Sequence, residues 1–366
     1  MKMKGFFRKL VRRTRARTFY AWQIELTTRC TLQCAMCMRS GRDDWLSADM
    51  SPDDFKKLIP YFSEVETVVL EGWGEPLLHP DLLEFVRLVK DAGAQAGFVT
   101  SGKGLDEAYS RALLDREVDF MGFSFAGATA ATHNRIRIGS DLDEVVEGIT
   151  FLRRIREERG LQKPRLHLVY LMMKDNIREL PAFMSLAATM GIGEIALLNQ
   201  IAIVNDRQEG QRVYNVPESG QYERVLKETA IKAAELGIRI RRPSLFPSEV
   251  AVCDENPLRN LYISVTGDVS PCVYLNPPLT DPASLAHGCP AGLNRTSFGN
   301  ILLQPLADIW KSEEYLQFRH CFAARKRTLD DIHARLGGMG IDFPSADDPL
   351  SEAPGPCSKC YKLFGA

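Results

Sequence analysis

Between Phe19 and about Gln200, short β-like runs alternate with helical ones, and this alternation restricts the chain to a succession of parallel βα units. Strands are read at Ala21–Leu26, Thr67–Leu70, Phe98–Thr100, Phe120–Phe125, Arg165–Met172 and Glu194–Leu198. Helices are read at Ser51–Phe62, with Ser51 as N-cap, and at Pro80–Ala92, Leu105–Leu114, Leu142–Glu158 and Ile177–Met190. A closed eight-fold barrel takes about 250 residues, so the spacing predicts an α/β fold built on a partial (β/α)6 TIM-like barrel. Ligands of such folds gather at the C-terminal ends of the strands.

Beyond Gln200 the pattern changes. Residues 201–220 are polar, Tyr222–Leu236 reads as a helix, and Leu261–Val265 and Val269–Tyr274 read as a hairpin around Thr266-Gly267-Asp268. Gly267 suits the positive backbone angle of a tight turn. Leu306–Cys321 reads as a helix and 336–356 as a Gly/Pro-rich loop. The expected organisation is an N-terminal extension over 1–18, a barrel over 19–215 and a small α+β domain over 216–366. Residues 1–17 carry eight Lys or Arg and no acid. Such an arm could meet an acidic partner, nucleic acid or a membrane surface, although a solvated or barrel-packed extension is the commoner role. The net charge of −1 argues against the whole molecule being a polyanion binder. No apolar run reaches the ~18 residues that span a bilayer, and neither a secretory nor a twin-arginine signal fits. The expected location is cytoplasmic.

Nine cysteines without an export signal point to metal binding or catalysis rather than a disulfide framework. Three cluster in Cys30-Thr-Leu-Gln-Cys34-Ala-Met-Cys37, directly after the first strand; the rest begin at Cys253. Two separate sites are therefore expected. Soft thiolates select zinc, copper(I) or iron–sulfur clusters. Three of them can grip one face of a cubane and leave its fourth iron open to a small molecule. The alternative is a structural zinc site with a fourth ligand elsewhere.

The cysteine stretch resembles the signature of the radical S-adenosylmethionine (radical SAM) superfamily, and further matches follow. Gly72-Trp-Gly-Glu-Pro76 resembles that family's Gly-Gly-Glu-Pro motif, and Thr100-Ser-Gly102 its Thr-Asn-Gly element. Ser124-Phe-Ala-Gly127 is similar to its fourth-strand segment. The resemblance implies a [4Fe–4S] cluster on Cys30, Cys34 and Cys37. It also implies S-adenosylmethionine held by Met36, Gly74, Glu75, Thr100, Ser101, Ser124 and Arg137, with Ser124 toward its carboxylate or ribose and Arg137 toward its carboxylate. Three positions depart from the pattern. Met36 stands where an aromatic residue is usual, Trp73 replaces the first glycine, and Ala126 stands where many relatives have Asp.

Cys253, Gly267-Asp-Val-Ser-Pro-Cys272 and Cys357-Ser-Lys-Cys360 resemble the C-terminal SPASM or Twitch domains of the same superfamily; Phe298-Gly-Asn-Ile301, Trp310 and Phe318-Arg319 resemble the linker of those domains. The simplest count gives four ligands (Cys253, Cys272, Cys357, Cys360) for one auxiliary [4Fe–4S] cluster, with Cys289 and Cys321 spare. The resemblance implies a radical SAM oxidoreductase or maturase. Such an enzyme draws electrons from a reductant such as flavodoxin or ferredoxin and oxidatively modifies a peptide, protein or metalloenzyme. A dehydrogenase of a small alcohol or sugar is the second reading, and a zinc-stabilised nucleic-acid-binding module the reading from another class. His79, His133 and His167 are possible proton acceptors by composition alone.

Overall fold

Alternate residues of the central strands divide between two environments, as a two-residue repeat requires. In Arg165–Met172 the buried set is Leu166, Leu168, Tyr170 and Met172, while Arg165, His167, Val169 and Leu171 face a less covered interior. The computed structural model describes residues 17–281, 295–337 and 350–366. The basic arm apart from Arg17, and Cys289, lie outside the described residues.

The strands are β1 (Phe19–Ile24), β2 (Val65–Val69), β3 (Gln95–Thr100), β4 (Phe120–Phe125), β5 (Arg165–Met172), β6 (Glu194–Asn199), β7 (Arg239–Arg241), β8 (Asn260–Ile263) and β9 (Val269–Ser270). They form one sheet in the order β7-β6-β5-β4-β3-β2-β1-β8-β9. Every pairing is parallel except that of β8 with β9. The sheet curls: Tyr20 and Ala21 of β1 and Arg239 and Arg241 of β7 line the same cavity of about 640 Å³ with residues of every strand between them. The mixed α/β, mostly parallel architecture expected from the sequence is therefore present.

Helices cover the outer face. They include α1 (Pro52–Leu58), α2 (Leu82–Asp91), α3 (Glu107–Asp115), α4 (Ala130–Ile136), α5 (Leu142–Glu158), α6 (Leu180–Thr189) and α7 (Ser219–Glu235). Ser51 caps α1 as expected, its Oγ accepting the Asp54 amide at 3.1 Å. Leu82, Phe85, Val86 and Val89 recur at helical spacing and are buried, and Phe85 stacks on Phe55 at 4.0 Å. No helix of the described residues is long and apolar enough to cross a membrane.

Several elements differ from expectation, and proline accounts for three of them. The helix read at Ser51–Phe62 ends at Leu58 and continues as a 3-10 turn carrying Pro60. That read at Ile177–Met190 starts as a 3-10 turn, with α6 proper beginning beside Pro181. The returning hairpin strand stops at Ser270, before Pro271. The helix read at Leu306–Cys321 is interrupted at Ser312, giving α8 (Leu306–Lys311) and α9 (Glu313–Gly337).

The sheet also extends beyond six strands. Helix α7 leads into β7, which pairs with β6 through Glu194↔Arg239, so the βα succession runs past residue 215, where the barrel was expected to end. On the other side β8 lies parallel to β1 through Trp22↔Leu261 and covers an edge that would otherwise expose unpaired amides. The expected hairpin follows, with Gly267 at φ +85°. The barrel and the cysteine-rich C-terminal region are thus joined through one hydrogen-bonded sheet.

Candidate cluster and cofactor site

The cysteine loop leaves the C-terminal end of β1 and is closed at its base by Thr28, whose hydroxyl donates to the Leu46 carbonyl at 2.6 Å and accepts the Ala48 amide at 2.9 Å. Inside it, the Cys37 amide and the Ser40 hydroxyl both donate to the Cys34 carbonyl, at 3.0 and 2.8 Å. The amides of Gln33 and Ala35 donate to the carbonyls of Ile138 and Ile136, both at 2.8 Å, which brings Arg137 alongside. Burial raises the pKa of all three thiols. Cys30 is further opposed by Cys34, Cys34 by Cys37 and Cys37 by Cys30, while Arg39 pulls all three down and Arg137 pulls down Cys34 and Cys37. Three mutually repelling thiolates in such a pocket gain most from a cationic metal centre among them. The donor set fits an iron–sulfur cluster, and Arg137 fits a carboxylate near it, because its buried Nε has no hydrogen-bond partner among the described residues.

The motif loops converge on this loop. A Cβ on Gly74 would sit 2.2 Å from the Thr27 carbonyl oxygen, so only glycine lets the two backbones approach this closely. Glu75 accepts hydrogen bonds from the Thr100 hydroxyl at 2.5 Å, the Ser101 amide at 2.8 Å and the Leu77 amide at 3.2 Å. Its carboxylate therefore fixes the β2 and β3 loops to each other. Ser124, near the end of β4, makes no side-chain hydrogen bond with the described residues and is half-buried. Met36 packs against Ala126, Ile136 and Met173, an apolar patch of the kind its chemistry suits. A carboxylate does reach the segment after Ala126: Glu179 accepts the Ala128 amide at 2.7 Å and the Thr132 hydroxyl.

Two of the three histidines are committed to the scaffold. His79 accepts the Asp81 amide on Nδ1 at 3.1 Å and faces the Met50 carbonyl through Nε2 at 3.0 Å, which fixes its neutral tautomer. His133 is buried, with Nε2 3.2 Å from the Ser140 hydroxyl and its ring edge-on to Phe125. His167 alone of the three lines the barrel cavity.

Sequence reasoning missed Arg39, Glu25 and Glu71. Glu25 is fully buried and accepts the amides of Trp73 at 2.9 Å and Val265 at 3.3 Å, joining β1, the Gly72-Trp-Gly-Glu-Pro76 loop and the hairpin. Glu71 accepts the Val99 amide at 2.8 Å and the Gln23 side-chain amide at 3.3 Å inside the barrel. Burial pushes both carboxyls up to about 7. The available signal for Glu25 was an acid set in the otherwise apolar end of a strand, Trp22 to Leu26.

In the C-terminal region Cys253, Cys272, Cys357 and Cys360 line a single cavity walled by Tyr274, Leu275, Phe322 and Leu363. Burial raises every one of these thiols, that of Cys253 to about 12, and thiols of the set oppose one another's ionisation. A buried pocket converging four thiols, with Glu255 and Lys362 also on its wall, suits Cys₄ ligation of a cluster. Cys321 on α9 does not line it. Phe298 stacks on Tyr315 at 4.2 Å and Arg319 lies over Trp310 at 3.6 Å, anchoring α8 and α9 beside the hairpin.

Comparison with known proteins agrees with this arrangement. The radical SAM superfamily model matches residues 24–187, and that of SPASM, an iron–sulfur cluster-binding domain, matches 253–332. Cys357 and Cys360 lie beyond the second match. A tungsten-containing aldehyde ferredoxin oxidoreductase cofactor-modifying protein of Pyrococcus furiosus is 29% identical over 301 residues, 81% of this chain and 82% of that protein. A PqqA peptide cyclase of Methylobacterium nodulans is 29% identical over 168 residues, 46% of this chain and 43% of the cyclase. Among solved structures, Streptococcus suis SuiB bound to S-adenosylmethionine superposes with a TM-score of 0.62 at 14% identity, over 81% of this chain and 66% of SuiB. A histidine-tagged anSMEcpe with bound AdoMet superposes at 0.60 and 14% identity, over 94% of this chain and 92% of that one. Those two likenesses show a shared fold. With one family model spanning the cysteine triad and the other spanning Cys253 and Cys272, the chain belongs to the radical SAM superfamily and carries a C-terminal SPASM domain.

Proposed function

We propose that this protein is a radical SAM maturase that oxidatively modifies a peptide, protein or metalloenzyme, with Cys30, Cys34 and Cys37 holding the catalytic cluster. Cys253, Cys272, Cys357 and Cys360 hold one auxiliary [4Fe–4S] cluster in this reading. The observation that carries it is the presence of two separate thiol sites, one with three cysteines and one with four, joined through a single sheet and the cofactor loop. Held by Cys30, Cys34 and Cys37, the catalytic cluster with S-adenosylmethionine would supply the means to abstract a hydrogen atom from the substrate, and the group held by Cys253, Cys272, Cys357 and Cys360 would supply an acceptor for the second electron of a two-electron oxidation.

The chain's own residues orient and shield these partners. Arg137 neutralises the cofactor's carboxylate, Met36 with Ile136 and Met173 offers an apolar face to its adenine, and Glu75 holds the Thr100 and Ser101 loop in place. The peptide or protein substrate is favoured by the names of the relatives, a cofactor-modifying protein and a peptide cyclase. The reading is tested by anaerobic reconstitution, followed by S-adenosylmethionine and a strong reductant, with 5′-deoxyadenosine as readout. Formation that disappears in the Cys30→Ala/Cys34→Ala/Cys37→Ala variant is expected. A colourless zinc protein that forms none overturns it.

A further inference from the structure

The mouth of the barrel at the N-terminal ends of β5 to β7 is cationic, on the side away from the cysteine loop, with Arg165, Arg239 and Arg241 all exposed there. Arg165, His167, Arg239 and Arg241 line the cavity of about 640 Å³ that opens at the N-terminal ends of the strands. Two carboxylates share it, and both are already paired: Glu194 with Arg239, and Glu66 with Arg259 at 3.3 Å. Arg165 and Arg241 have no ion-pair or hydrogen-bonding side-chain partner among the described residues.

Strand register places the two free guanidinium groups around His167. Val169 pairs with Ala196 and Ala196 with Arg241, so Arg241 stands one inward-facing step above His167, and Arg165 stands one step below it on the same strand. Burial, and then both arginines, disfavour protonation of His167 against the opposing pull of Glu194, which leaves its imidazole neutral and able to donate a hydrogen bond. The pocket has the size of a small-molecule site. Gly122 clears room for the ring, since a Cβ there would lie 2.6 Å from His167 Nε2. Arg241 also borders a second cavity of about 380 Å³ that includes Tyr274 and Lys362, residues that in turn line the four-cysteine pocket. It stands between the barrel interior and the auxiliary site.

We propose that Arg165 and Arg241, exposed at the N-terminal mouth of the barrel, grip a small anionic ligand through a phosphate or a carboxylate, with His167 as a third donor. The site is separate from the one assigned to the carboxylate of S-adenosylmethionine beside Arg137. It lies at the strand ends opposite the cysteine loop, so its occupant is a separate small anion and not the group on which the enzyme acts. Two guanidinium groups suit it because each offers a planar fork of donors matched to two oxygens.

The test uses the full-length, cluster-reconstituted protein and two probes, inorganic pyrophosphate and glutarate, titrated by calorimetry. At least one should bind with sub-millimolar affinity. Arg165→Gln and Arg241→Gln should each weaken that binding about tenfold, the loss expected for one charge-assisted hydrogen bond. Arg224→Gln, an arginine on α7, should not. Binding of pyrophosphate alone identifies a phosphate-bearing ligand, and of glutarate alone a carboxylate-bearing one. Should a variant fail to fold, phenylglyoxal modification of the unsubstituted protein, read by mass spectrometry, replaces it: the bound anion should shield Arg165 and Arg241 together. If neither anion binds, or if binding shields neither arginine, the proposal is overturned. Deoxyadenosine formation by the same unsubstituted protein tests the enzyme reading independently.

Discussion

The indole N–H of Trp73 points at the carbonyl oxygen of Val273, 3.3 Å away and one residue past Cys272. Its ring meets Trp45 and Tyr274 edge-on, at 6.0 and 6.2 Å between centroids. The residue that breaks the glycine pattern of the Gly72-Trp-Gly-Glu-Pro76 loop is therefore a strut between that loop and the four-cysteine region. Backbone bonds reinforce it: the Leu46 amide donates to Pro278 at 2.8 Å and the Thr280 amide to Asp44 at 2.9 Å.

Trp73 can accordingly be separated into its two contributions. Trp73→Gly removes ring contacts and hydrogen bond and is expected to cost about 3 kcal/mol, within the range of large aromatic truncations. Trp73→Phe keeps most of the apolar contact and loses about 1 kcal/mol with the hydrogen bond. Denaturant unfolding under anaerobic conditions measures both. The ratio of modified product to deoxyadenosine should fall further in the glycine variant than deoxyadenosine formation itself. Equal losses in the two would show that Trp73 does not link the sites.

The two thiol sites make distinct predictions for metal content. Reconstituted protein should carry about eight irons per chain, four for each cubane. Cys272→Ala or Cys357→Ala should lower this toward about four and leave substrate-free cleavage of S-adenosylmethionine measurable. The triple variant at Cys30, Cys34 and Cys37 should lose the other cluster and all cleavage. Cys321→Ala should change nothing, since that thiol lies off the cavity. Iron analysis with electron paramagnetic resonance of each variant decides the assignment.

What could be read in the sequence was what is local in the chain. The spacing of Cys30, Cys34 and Cys37 and the need for glycine at Gly74 are satisfied within or beside one loop, so their signals survive without the fold. Glu25 was hidden because its partners, Trp73 and Val265, lie 48 and 240 residues away. Strand β7 has three residues, too few to show a period, and β8 finds its place only by pairing with β1 across the chain. The prolines at 60, 181 and 271 were visible, and applying their steric rule would have placed those element boundaries correctly.

Arg137 supplies a prediction specific to the cofactor. Its guanidinium lies beside Cys34 and Cys37, and its Nε is buried without a partner among the described residues. Arg137→Met keeps the apolar stem and removes the charge, which should weaken binding of S-adenosylmethionine by about tenfold or more, about 1.5–3 kcal/mol for a charge-assisted contact. Equilibrium dialysis of the reconstituted protein measures this without turnover. Arg137→Lys should recover part of the loss. Unchanged affinity in the Met variant would remove Arg137 from the site.

The last prediction concerns pH. Glu25 is completely buried, and desolvation, only partly offset by the Trp73 and Val265 amides, lifts its pKa from the ordinary carboxyl range to about 7. Between about pH 4.5 and 7 the folded chain therefore keeps a proton that the unfolded chain has released. Stability must fall as pH rises through that window and level off above it, because the unfolded state binds fewer protons there. The contribution of Glu25 is on the order of 3 kcal/mol, at about 1.4 kcal/mol per pKa unit. Glu25→Gln imitates the protonated form and should lower the slope by about half, Glu71 with its pKa also at about 7 supplying the rest; its single oxygen can accept the Trp73 amide, while the Val265 amide, which bonds the other carboxylate oxygen, loses its acceptor. Denaturant midpoints at about pH 5.5 and about pH 8 give the comparison. A slope as steep in the Gln variant as in the unsubstituted protein would mean that Glu25 is ionised in the folded state, its charge held by the two amides rather than suppressed by burial.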